Sequence, residues 1–396
     1  MAVWHRATRR LATAWSIFGV VLITLFGVEG VLRLLFLTKD TFWDEPQGLR
    51  MFDAPLGGDG SAAWLEAYER EHLESARTEW HSYVYWRRQP YQGKYINVDA
   101  RGLRHTWTGA REEGRPLRVF VLGGSTIWGS GARDDFTIPS LIAKRLAAGD
   151  VRADVINLGE SGYVSTQEML TLLMELQQGN HPDAVVFYDG LNDTYSASQT
   201  DRAGIPQNEW KRGREFGLID SPNRITGLFF RQLPGRFTGL NRLASQVRRP
   251  ELKRTTGTDG TNGHAENLAD EVVRVYETNV RLVEALGRTY GFECLFYWQP
   301  TLFTKANPTS LERSLRQAAS SRFGDTLILT RDRIRRSSGL NANPSFHDLS
   351  SVFDGDSDGV YVDLISPVNE PGDGVIADAI SRDLIRQLSV RSGATR

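Results

Sequence analysis

Ser125 is the first residue in this chain whose type and setting suggest chemistry. It follows an apolar run, Leu117–Leu122, and two glycines, in the stretch Gly123-Gly124-Ser125-Thr126. A serine on such a tight turn exposes its Oγ with little crowding. Three further positions supply what a nucleophilic hydroxyl needs. Gly162 offers a backbone N–H, and Asn192, in Asp189-Gly190-Leu191-Asn192-Asp193, offers a side-chain amide; both can donate to an oxyanion as it develops. Asp363 is a carboxylate able to orient a histidine. Together these types describe acyl transfer through an activated serine. Taken singly, each also reads as an ordinary turn.

The elements that must position them alternate. Leu117–Leu122 reads as a strand, and a helix is expected over Thr137–Ala148. A second strand follows at Ala153–Leu158 and ends at Gly159. Ser165 and Glu168 have capping-box spacing ahead of the apolar helix Met169–Gln177. Ala184–Tyr188 is a third strand. An amphipathic helix from about Ala265 to Tyr290 precedes a fourth, Cys294–Trp298. Gly359–Asp363 reads as a fifth strand and Gly374–Leu388 as a closing helix. Strands separated by helices at this spacing predict an α/β fold with a doubly wound parallel sheet. In such sheets ligands bind beyond the carboxyl ends of the strands, where all four candidate residues fall.

In combination and order, these blocks resemble the SGNH hydrolases, also called GDSL esterases and lipases. The nucleophile block is Val119-Phe-Val-Leu-Gly-Gly-Ser125-Thr-Ile-Trp-Gly129. The glycine block is Asn157-Leu-Gly-Glu-Ser-Gly162-Tyr-Val-Ser-Thr-Gln167, and the asparagine block is Asp189-Gly190-Leu-Asn192-Asp193. The resemblance covers about residues 115–390 and implies a flavodoxin-like three-layer sandwich. It further implies that Ser125 is the nucleophile and that the Ser125 N–H, Gly162 N–H and Asn192 amide form the oxyanion hole. The last block departs from the family pattern of Asp-x-x-His. Here the text is Tyr361-Val-Asp363-Leu-Ile-Ser366-Pro367-Val-Asn-Glu-Pro-Gly372, so Asp363 is in place and Ser366 stands where the general-base histidine is expected. A serine hydroxyl cannot take up a proton as a base near neutral pH, and without a base Ser125 is a weak nucleophile. Of the seven histidines, His347, in Phe346-His347-Asp348-Leu349, and His105, before the first strand, are the two candidates for a relocated base.

The flanks carry other signals. Arg6, Arg9 and Arg10 precede an apolar stretch, Leu11–Leu37, interrupted by Glu29 and Arg33. About 20 apolar residues suffice for a transmembrane helix, and the leading arginines favour a cytoplasmic N-terminus. A signal anchor is the preferred reading over a cleaved signal peptide or a buried helix. The expected organisation is a cytoplasmic stretch 1–10, an anchor 11–37, a lead-in 38–115 and an SGNH-like domain 116–390 with an irregular insertion at 194–264. The bulk of the chain would face the extracytoplasmic side, with the bilayer as one partner.

With 47 Lys plus Arg against 48 Asp plus Glu, the net charge is −1, which argues against nucleic acid as a partner. The single cysteine, Cys294, excludes a disulfide framework and reads as an inert core residue. A mean hydropathy of −0.36 excludes a polytopic membrane protein. No cofactor is expected. Asp354-x-Asp356-x-Asp358-Gly359 matches the opening of a calcium loop, but its twelfth position is Ile365 where a glutamate is required, so no metal is expected. Gly123-Gly124-Ser125 lacks the spacing of a dinucleotide-binding turn. Two functions then fit. One is a membrane-anchored bacterial esterase acting on an O-acylated glycan or lipid. The other is a catalytically impaired relative that binds such a molecule or serves assembly.

Overall fold

The computed structural model describes residues 13, 15–31, 64–109, 114–219, 261–318, 321–356, 358–363 and 368–394. The chain divides into two compact units, one of Met1–Leu49 with Trp210–Thr258 and one of Arg50–Glu209 with Asp259–Arg396. In the first, residues 15–31 are helical, and the apolar side chains of Ile17, Phe18, Val20, Ile23 and Phe26 are exposed. Among the described residues no helix is long and apolar enough to cross a membrane. The rest of the expected 11–37 span lies outside the described residues.

The second unit is built on a five-stranded parallel sheet. Its strands are β5 (Leu117–Gly123), β6 (Ala153–Asn157), β7 (Ala184–Asp189), β8 (Glu293–Trp298) and β9 (Phe346–Asp348), in the order β6-β5-β7-β8-β9. The chain thus winds outward from β5 first one way and then the other. The switch point lies between β5 and β7, where open α/β sheets place their ligands. Side chains alternate across β5 as the two-residue period of a strand requires. Val119 and Val121 face one core, packed by helices Ile138–Ala148 and Glu370–Ala394. Phe120 and Leu122 face the other, packed by helices Ser165–Gln177 and Thr261–Tyr290. Cys294 lies buried in that second core, its thiol pushed up to about 12 by burial, in keeping with an inert residue.

The lead-in holds the helix that its sequence suggests over Ala62–Arg77, and beyond that helix it is more regular than expected. A helix, Leu65–Glu74, is followed by two antiparallel hairpins. One joins β1 (Thr78–His81) to β2 (Tyr85–Arg88), and the other joins β3 (Tyr91–Gln92) to β4 (Asn97–Val98). The expected insertion is also less irregular at its ends, since Leu191–Thr200 and Glu209–Ile219 are helical; residues 220–260 lie outside the described residues.

Two local expectations are corrected. The fifth strand of the sheet is β9; Gly359–Asp363 makes only an isolated antiparallel bridge, Tyr361 to Val368. The reason is that Glu312 takes the N–H groups of Val360 (3.0 Å) and Tyr361 (3.3 Å) that a ladder would have used. Ser165 is not the cap of its helix. Val164 is, and the Ser165 hydroxyl bonds to Asp193 at 2.6 Å.

Candidate active site

β5 ends in two glycines because there is no room for a side chain at either. A Cβ on Gly123 would lie 2.9 Å from the Tyr188 carbonyl oxygen, and one on Gly124 would lie 2.1 Å from Asn192 Nδ2. Ser125 then opens a short helix, Ser125–Trp128, closed by Gly129 at φ 99°. Ser125 is half-buried. Among the described residues no side chain is hydrogen-bonded to its Oγ.

The glycine block is fastened to this turn by one side chain and one backbone N–H. Asn157 donates to the Ile127 carbonyl at 2.9 Å, and the Glu160 N–H donates to the Gly123 carbonyl at 3.0 Å. A Cβ on Gly159 would meet the Trp128 nitrogen at 2.7 Å. Gly162 adopts φ 81°, a left-handed conformation that favours glycine, and its carbonyl accepts from Gln207 at 3.1 Å. Among the described residues nothing accepts from the Gly162 N–H.

Asn192 opens the helix after β7, next to Gly190 at φ 133°. Its Nδ2 donates to the Tyr163 carbonyl at 2.8 Å. An amide nitrogen carries two hydrogens, so one is left for a ligand. The structure therefore brings together the Ser125 turn, the Gly162 loop and the Asn192 amide, all at the switch point of the sheet. The contact between Asn192 and Gly124 joins β7 to β5, and the bond from Asn192 to Tyr163 joins both to the glycine loop.

Asp363 approaches from the far end of the chain. It is half-buried, and its neighbour Val362 is buried in the apolar cluster that contains Trp128, three residues from the nucleophile. The segment before it is held by a buried ion pair. Lys305 meets Glu312 at 3.0 Å and donates to the Asp358 carbonyl at 2.8 Å, while Glu312 takes the two N–H groups already described. Ser366 lies outside the described residues.

Neither candidate for a relocated base stands at the nucleophile. His347 is in β9, separated from β5 by β7 and β8, roughly 14 Å at about 4.8 Å per strand. Its ring stacks on Tyr297 at 5.0 Å, and its Nδ1 is 3.6 Å from Asp383. His105 is exposed, beyond the open edge at β6, and its N–H donates to Asn97. A third histidine, which its sequence context did not single out, is nearer. His72 packs edge-on against Trp128 with ring centroids 5.6 Å apart. Burial, reinforced by the Arg88 and Arg104 guanidiniums, pushes its pKa down to about 3, which leaves it a very weak base.

Sequence reasoning also missed the residues that brace the site. Glu160 is fully buried and meets Arg88, through the Arg88 N–H at 2.9 Å and its Nε at 3.3 Å. Burial raises the Glu160 carboxyl, and Arg88 opposes that shift. Arg88 and Arg104 stack on the Trp128 ring, their guanidinium carbons 4.1 Å and 4.5 Å from its centroid. Behind Asn192 lie three more buried carboxyls, Glu168, Asp189 and Asp193, all raised by burial, with Asp189 and Asp193 adding to the shift of Glu168 and Asp193 adding to that of Asp189. The sequence sign of the two arginines is a density of charge and aromatics in the lead-in, whereas the carboxyls stand in or beside the glycine and asparagine blocks.

No family model matches the chain, and no curated protein is similar to it. Solved structures to which it is similar are esterases and lipases at low identity. An acetyl xylan esterase, AlAXEase, is 13% identical over 68% of this chain and 100% of that one, with a TM-score of 0.36. A lipase/acylhydrolase from Enterococcus faecalis is 12% identical over 68% and 96%, with a TM-score of 0.34. The psychrotrophic esterase EstA from Pseudoalteromonas sp. is 12% identical over 69% and 98%, with a TM-score of 0.35. At such identity and overlap these likenesses bear on neither substrate nor activity.

Proposed function

We propose that this protein is a membrane-anchored ester hydrolase of SGNH type that acts outside the cytoplasm on an O-acylated glycan or lipid. The observation that carries the reading is the contact of the Asn192 amide with the Gly124 backbone, one residue from Ser125. That amide is also bonded to the Gly162 loop, through the Tyr163 carbonyl. In the proposed reaction Ser125 Oγ attacks the ester carbonyl and gives its proton to a water molecule, which passes it to the departing alcohol. The Ser125 and Gly162 N–H groups and Asn192 Nδ2 hold the resulting oxyanion. The C–O bond to the alcohol breaks, the alcohol leaves with a proton, and water then cleaves the acyl-enzyme to the free acid. Asp363 is assigned to orient a histidine base of the kind that Ser366→His would supply. The anchor is supported by the arginine-led stretch Leu11–Leu37 and by the exposed apolar side chains of the helical residues 15–31.

A second reading is a binding or assembly module, which would need no base at Ser125. One experiment separates them. Full-length protein is treated with a fluorophosphonate and with para-nitrophenyl acetate. The esterase reading expects labelling and slow turnover, both lost in Ser125→Ala, and faster turnover in Ser366→His. Absence of labelling and turnover from the parent and from Ser366→His alike overturns it in favour of the module.

A further inference from the structure

The β1–β2 hairpin presents aromatic rings that the ester chemistry does not use. Trp80 is 68% exposed and Tyr83 is 75% exposed. Large rings held in water beside a candidate active site mark a contact surface more often than a scattered exposed residue does. The hairpin is also strained. Tyr83 and Tyr85 have φ of 69° and 74°, where bulky side chains are outliers.

What holds that strain is the glycine block. Gln167 Nε2 donates to the Val84 carbonyl at 2.7 Å, Trp86 Nε1 donates to the Ser161 carbonyl at 3.1 Å, and the Tyr163 hydroxyl donates to the Trp86 carbonyl. The rings of the hairpin and the glycine block make two pairs, one of them at Gly162. A Cβ at Gly162 would lie 3.6 Å from the Trp86 ring, Trp86 packs on Tyr163 at 5.5 Å, and Trp80 packs on Tyr85 at 5.5 Å. Planar polar groups flank them: Gln207 bonds to the Gly162 carbonyl, and Glu209 accepts from the Tyr85 hydroxyl at 3.3 Å.

We propose that this hairpin is a sugar-binding subsite, and hence that the ester cleaved at Ser125 is carried on a glycan chain; the substrate assignment rests on the esterase reading above. Aromatic faces stack on the C–H faces of pyranose rings, and amides and carboxylates beside them bond to the hydroxyls. A lipid acyl chain would instead need a run of aliphatic side chains. Within the hairpin the large apolar side chains open to water are the two aromatics Trp80 and Tyr83, while Val84 is buried. The hairpin is also tied to the candidate oxyanion loop, through Trp86 and the Ser161 carbonyl.

The test is binding read without turnover. Full-length Ser125→Ala protein is titrated with xylohexaose, cellohexaose and chitohexaose, followed by intrinsic tryptophan fluorescence and calorimetry. Saturable binding to at least one is expected, weakened about tenfold by Trp80→Ala or Tyr83→Ala, the scale of one lost aromatic contact, and largely restored by Trp80→Phe. With Ser125 intact, these variants should hydrolyse para-nitrophenyl acetate like the parent, because the small ester does not reach the hairpin. The proposal is overturned if none of the oligosaccharides binds. It is also overturned if the substitutions weaken binding to phosphatidylethanolamine–phosphatidylglycerol vesicles and not to sugars. Sugar binding without aryl ester turnover would defeat the esterase reading and leave the subsite standing; turnover without sugar binding would do the reverse.

Discussion

At the scale of single residues, the site depends on two atoms approaching more closely than a methyl group would allow. Gly124 has an ordinary φ of −80°, so alanine there meets no backbone strain. Its only close neighbour is the amide end of Asn192, at 2.1 Å from the added Cβ. That side chain can swing away without disturbing the fold. Gly124→Ala is therefore expected to lower kcat on an aryl ester by about 10²–10³-fold, the loss of one oxyanion donor, with the thermal midpoint little changed. Equal activity would show that Asn192 does not serve the oxyanion. A second residue-scale expectation concerns pH. Burial raises the Glu168 carboxyl well above its ordinary value. The folded state then binds a proton that the unfolded chain has released, so this group's contribution falls as pH rises through the unfolded value of about 4 toward the folded one. Glu168→Gln removes that loss and keeps a donor toward Asp189. Its stability relative to the parent should grow as pH rises above about 4; parallel midpoint curves would contradict the assignment.

At the scale of elements, the lead-in hairpins act as braces for the glycine block. Arg88, in β2, reaches Glu160, 72 residues later, where the side chains are 6% and 0% exposed. Arg88→Met leaves Glu160 buried without its cation, and breaking such a pair costs about 3–5 kcal/mol. Urea unfolding should register a loss of that size, and a loss under about 1 kcal/mol would show that the pair is screened as a surface pair is. The elements themselves were unevenly legible. β5 to β8 could be read closely because each is a short apolar run bounded by turn residues. The fifth strand was misplaced because Phe346–Asp348 offers three residues and no period, while Gly359–Asp363 offers an apolar run that Glu312 diverts from the ladder.

At the scale of the whole molecule, the lead-in belongs to the second unit's packing. Tyr68, Ile96 and Val98 share an apolar cluster with Trp128 and Val362, and Arg104 closes over the same ring while bonding to Asp134 at 2.5 Å. A chain beginning at Trp64 should thus unfold cooperatively, whereas one beginning at Gly114 should lose near-ultraviolet circular dichroism and a sharp thermal transition. Cooperative unfolding of the shorter chain would show that the sheet unit is complete without its braces.

By itself the sequence determined the alternation of strands and helices and the residue types at three strand ends, since both are written in local spacing. Hydrophobic period and glycine turns act over a few residues, and three blocks in order were enough to imply the chemistry. Only the tertiary structure decided what surrounds them. It put the Asn192 amide against Gly124, set Glu160 on Arg88, and carried His347 and His105 away from Ser125. Contacts between residues tens of positions apart leave no local period in the text, because their partners are chosen by the winding of the sheet and the packing of the lead-in upon it.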